Sequence, residues 1–72
     1  MSKKVLVRIE NREGIPTSQA HIQGPYGFGR FCGGEVVIRL VDCNPPPGKY
    51  VWCRVIGLGR KGELLAERVY SD

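Results

Sequence analysis

The side chains able to do covalent or metal chemistry are few: three cysteines and one histidine in 72 residues. His21, Cys32, Cys43 and Cys53 are ligand types that suit zinc. No two of the cysteines stand at the short C-x2-4-C spacing that lets a chain close around a structural metal, so no metal is expected. A cysteine nucleophile needs a base beside its thiol, and the single histidine lies on a polar face, so no catalytic residue and no cofactor are expected either. The glycine string at 24–34, GPYGFGRFCGG, resembles a phosphate-cradling loop in composition. Such loops require a following helix N-terminus, whereas a strand pattern follows here, and the match is rejected.

Two readings of the cysteines stay open. Reduced thiols in a cytosolic chain behave as small apolar residues. Alternatively, a Cys43–Cys53 bridge would close a short loop and add about 3 kcal/mol on the chain-entropy model. Cys32 would then be left to cross-link neighbouring copies.

What remains is recognition chemistry. From Tyr50 onward the chain alternates, with Val51, Cys53 and Val55 on one face and Tyr50, Trp52, Arg54 and Ile56 on the other. If the small apolar set faces a core, an aromatic-and-arginine face looks outward; the reverse orientation would bury the aromatics. Tyr, Trp and Arg combine large area, low entropy loss and hydrogen-bonding ends, and they dominate interface hot spots. The glycine-rich stretch carries a second group, Tyr26, Phe28, Arg30 and Phe31. It reads either as a crossover folded over one end of the domain or as an arm for a neighbouring subunit.

The net charge is +4, which favours anionic partners. The basic residues are scattered, with no run longer than two, and acidic residues are interspersed among them. Small basic β-barrels bind single strands through aromatic platforms in a positive groove, so nucleic-acid binding is the rival class. No apolar run approaches the roughly 20 residues of a membrane span. The N-terminal apolar stretch is too short and too charged for a signal-peptide core, so synthesis in the cytoplasm and no membrane partner are expected.

These groups must be positioned by short extended elements. The chain is expected to form one domain, 1–72, because a chain this short supports a single small core. Alternation predicts strands at 4–10, 17–23 and 35–41, then at 49–58 and 63–70. Five glycines between 24 and 34 argue for a turning loop there. Pro45, Pro46 and Pro47 fix a rigid corner. The helix-favouring run at 63–68 is too short to stand as a helix and is read as strand. Five to seven short strands with regular turns predict an all-β fold, a small antiparallel β-sandwich or a barrel.

The order of these motifs is similar to transthyretin-like or carboxypeptidase-regulatory-like sandwich domains. The resemblance rests on Gly14, Pro16, Ala20, Gly34, Pro47, Gly48 and Tyr50. The Gly48-Lys49-Tyr50 step also resembles the tyrosine corner of immunoglobulin-like domains. The resemblance implies a sandwich fold and a role in scaffolding, display or assembly, with no catalytic residue to carry over. The expectation is therefore a non-enzymatic interaction module, present in many copies in a larger protein assembly. An accessory virion protein for capsid decoration, cementing or a tail would suit it. Its expected partner interface comprises Tyr26, Phe28, Arg30, Phe31, Tyr50, Trp52, Arg54 and Ile56.

Overall fold

The computed structural model describes residues 4–13 and 15–70. Gly14, part of the expected first turn and of the sandwich-like pattern, lies outside them. The strands are β1 (Lys4–Ile9), β2 (Tyr26–Phe31), β3 (Gly34–Leu40), β4 (Tyr50–Leu58) and β5 (Leu64–Arg68). They form one closed barrel in the order β1-β2-β3-β5-β4, with β4 returning to pair with β1. Every pairing is antiparallel except β3 with β5, which is parallel. Because β4 lies beside β1, and β2 and β3 follow on the other side, the first four strands make a Greek key.

The expected sandwich is thus corrected. Two packed sheets would leave edge strands, whereas here each strand has two hydrogen-bonded neighbours and closure removes the edges. The transthyretin-like and immunoglobulin-like identity falls with the sandwich. Tyr50, the expected corner tyrosine, is 60% exposed at the start of β4.

The glycine-rich stretch explains how so small a barrel closes. Gly27 and Gly29 pair with Ile9 and Val7 of β1 and with Ile38 and Val36 of β3. A β-carbon on Gly29 would come within 2.8 Å of Val5 Cγ1 and 3.1 Å of Ile38 Cδ1. These glycines let neighbouring side chains occupy the space where β2 passes. The stretch expected to be a loop is therefore a strand. It ends in a two-residue hairpin, Cys32-Gly33, with φ of 54° and 83° between the paired Phe31 and Gly34. Positive φ at both central residues marks a type I′ turn, whose twist matches that of the flanking strands.

The strand expected at 17–23 is also absent. Pro16 leads into a short 3-10 turn, Thr17–Gln19. There the amides of Gln19, Ala20 and Ile22 bond back three residues to Pro16, Thr17 and Gln19. With these three amides bonded locally, the segment turns back on itself instead of extending into a ladder. It becomes the covering loop between β1 and β2.

The core is filled by Val5, Val7, Ile9, Ile38, Leu40, Val51, Cys53 and Ala66. Phe31, Val36, Cys43, Val55 and Leu64 pack against it. Strict alternation in β1 and in the first half of β4 puts Val5, Val7, Ile9, Val51 and Cys53 inside. Past Val55 the register shifts between Val55 and Gly57, and this bulge bends β4 as it crosses to β5. Among the described residues no helix is long and apolar enough to cross a membrane.

Candidate functional site

Two features of the outer surface could bind a partner. The first is a row that crosses strands. Arg8 of β1 is in register with Tyr50 of β4 on one side and Phe28 of β2 on the other. Phe28 in turn faces Val37 of β3. The next pair up is Leu6 with Trp52, where the Lys4 ammonium stands 5.9 Å from the indole centroid. Trp52 is 48% exposed. A groove of about 430 Å³ runs along this face, lined by Leu6, Arg8, Phe28, Arg30, Glu35 and Tyr50.

The second feature is a larger cleft of about 630 Å³. Its walls are His21 and Gln23 from the loop between β1 and β2, Arg39 of β3, and Arg60, Lys61 and Glu63 from the turn between β4 and β5. The Arg39 Nε–H donates to the Gln23 carbonyl, tying strand to loop. Arg12 acts similarly further along, donating to the Gly24 carbonyl at 2.8 Å while its guanidinium lies 5.8 Å from the Tyr26 centroid. In the opposite turn the Lys61 amide donates to Glu63 Oε1 at 3.2 Å. The Glu63 carboxyl is held below its ordinary range by bonds from its own and the Lys61 backbone amides, and by the charges of His21 and Arg39.

The residues expected at the interface divide. Tyr50, Trp52, Arg54 and Ile56 lie outward and exposed on β4, and Arg30 is exposed on β2. Tyr26 is only 1% exposed, packed edge-on against Phe28 with ring centroids 6.2 Å apart. Burial, aided by the Glu10 charge, raises its phenol pKa. Phe31 packs on the core. Arg54 is bound across strands to Glu67 through both Nε and Nη2, so much of its charge is answered within the chain. Cys32, Cys43 and Cys53 are free thiols, and the Cys43–Cys53 bridge is not formed.

The basic cleft is not foreseeable from the sequence. Its one visible signal is the Arg60-Lys61 pair between glycines, because its other walls are brought together only by barrel closure. Among the described residues no cluster of three or more His, Cys, Asp or Glu side chains could hold a metal ion. No family model, curated protein or solved structure matches the chain.

Proposed function

We propose that this barrel binds single-stranded nucleic acid across its outer face. The observation that carries the reading is the continuous row of Tyr50, Arg8 and Phe28 on a closed five-stranded Greek-key barrel. Barrels of that architecture, the oligonucleotide- and oligosaccharide-binding fold, use the outer face of strands 2 and 3 with the 1–2 and 4–5 loops. Phe28 and Val37 lie on that face here, and Arg8 and Tyr50 extend it across β1 and β4. The basic cleft lies between those same two loops. Bases stack on aromatic faces whatever their identity, each stack being worth about 1–3 kcal/mol. Arg8 and Arg30 beside the row, and Arg60 and Lys61 at the cleft, supply cations for the phosphates.

The test is fluorescence anisotropy with a labelled oligonucleotide of about ten bases, within the span one such barrel covers. Binding at low salt that weakens steeply as salt rises supports the reading. Absence of binding, or affinity indifferent to salt, sinks it.

A second reading has its own support. Beyond the bulge, Ile56 and Leu58 are 52% and 71% exposed, next to an arginine already paired with Glu67. An apolar patch beside a neutralised charge suits a protein surface better than a phosphate. On this reading the chain is a non-enzymatic module of a many-copy assembly, of the virion type expected above. Sedimentation of the purified chain and of its native particle distinguishes the two.

A further inference from the structure

The large cleft holds a group that phosphate binding does not explain. Glu63 is the one carboxylate among the described residues lining it, set among Arg39, Arg60, Lys61 and His21. A carboxylate repels a phosphate, so cations alone would make the better phosphate site. Its position is also built. The Glu63 carboxylate folds back over the turn to lie where a β-carbon on Gly59 would stand. The Gly59 amide donates to the Glu63 carbonyl, closing the turn beneath it. The Lys61 amide fixes Oε1. A carboxylate has about four acceptor sites, so capacity remains toward the cleft.

Resting on the single-strand reading, we propose that this cleft takes a guanine base. Glu63 accepts from the guanine N1–H and 2-amino group, and the Arg39 guanidinium donates to O6. Unstacked bases in single strands are read on their Watson–Crick edges, and there only guanine presents two adjacent N–H donors beside an acceptor. Cytosine and adenine each pair one donor with an acceptor nitrogen, which a fixed carboxylate would repel. Uracil offers one N–H between two carbonyls. Arg39 engages one of its five donors with Gln23, and the rest of the fork is available to a carbonyl. Arg60 and Lys61, on the same turn, fall to the flanking phosphates.

The experiment compares the full chain on uracil-only decamers and on decamers with one central guanine, adenine or cytosine. The guanine strand is expected to bind about tenfold or more tightly, the range of one bidentate base contact. Glu63→Gln should erase that preference while the uracil strand binds as well or better, because a repulsive charge is gone. Arg39→Lys should lower the preference without erasing it. Equal binding of all four strands to the native chain overturns the guanine assignment and leaves the single-strand reading standing. A guanine preference that survives Glu63→Gln also overturns it. Failure of every strand to bind overturns both.

Discussion

Gly27 lies against Arg8 so closely that a β-carbon on it would overlap the Arg8 carbonyl oxygen and come within 2.7 Å of Val7 Cγ1. The obstacle is partly backbone of the paired strand, which cannot swing aside as a side-chain end can. Barrel closure and the aromatic row share this contact, since Arg8 carries the central side chain of that row. Gly27→Ala is therefore expected to cost about 3 kcal/mol or more, the upper range for overpacking. Against a total of roughly 4–10 kcal/mol for a domain of this size, a large part of the stability goes. Gly34→Ala, where nothing lies within 4 Å, should be nearly neutral. Urea denaturation followed by circular dichroism checks both, and equal midpoints for the two variants would contradict the packing argument.

The same contact explains why the sequence is legible only in part. Alternation locates β1, β3 and β4, because Val5, Val7, Ile9, Ile38, Leu40, Val51 and Cys53 repeat with period two and face one core. By contrast, β5 is found only because its helix-favouring run is too short for a helix. Alternation fails at β2, where glycine marks an inner position too crowded for any side chain, and glycine is also the commonest sign of a loop. It fails again at 17–23, where alternating polarity suits a strand but local amide bonds win. With β2 read as loop, the Greek key cannot be drawn. A sandwich is then the natural outcome for the strands that remain.

The candidate site divides along the same line. Tyr50, Trp52 and Arg54 need only the period of one strand to be seen as outward. The cleft needs His21, Arg39 and Lys61 to meet, and they are separated by 18 and 22 residues in the sequence. No local pattern carries that information. Tyr26 escapes the pattern because its burial comes from its packing beside Phe28 and under Arg12, not from strand alternation.

Tyr50 and Trp52 should separate binding from folding. Both are about half exposed or more, so replacing either by alanine removes little core packing and should change stability by less than about 1 kcal/mol. Each replacement should weaken single-strand affinity by about 1–3 kcal/mol if a base stacks on the ring. Iodide quenching of Trp52 fluorescence gives a direct readout, strong in the free protein and diminished with an oligonucleotide bound. Unchanged quenching at saturation would remove Trp52 from the track.

Arg60 and Lys61 are expected to act through charge alone. Each lies exposed on the tight turn between β4 and β5, so alanine at either should leave the thermal midpoint nearly unchanged. For single strands the salt slope falls by about 0.7 for each phosphate no longer neutralised. Each variant should therefore flatten the plot of log affinity against log salt by about that amount, and the double variant by about twice as much. A parallel downward displacement with the slope intact would mean that neither residue meets a phosphate.

Cys53 supplies a pH test of the core that is independent of any ligand. Burial, then the neighbouring Cys43 and Asp42 charges, push its thiol up to about 12, against a partial opposing effect of Arg68. Cys43 is raised too, by burial and by Asp42. In the unfolded chain these thiols ionise near 9, so between about pH 9 and 12 the unfolded state sheds protons that the native state keeps. Stability linked to Cys53 is thus complete below pH 9 and declines as pH rises toward 12. Urea midpoints should fall across that window, and Cys53→Ala should show a shallower decline, other titrating groups being common to both proteins. A thiol reagent applied without reductant should label exposed Cys32 at once and Cys53 only as the chain unfolds, giving three reactive thiols in denaturant. One reactive thiol in denaturant would mean that Cys43 and Cys53 are joined, and the pH window assigned to Cys53 would then vanish with its proton.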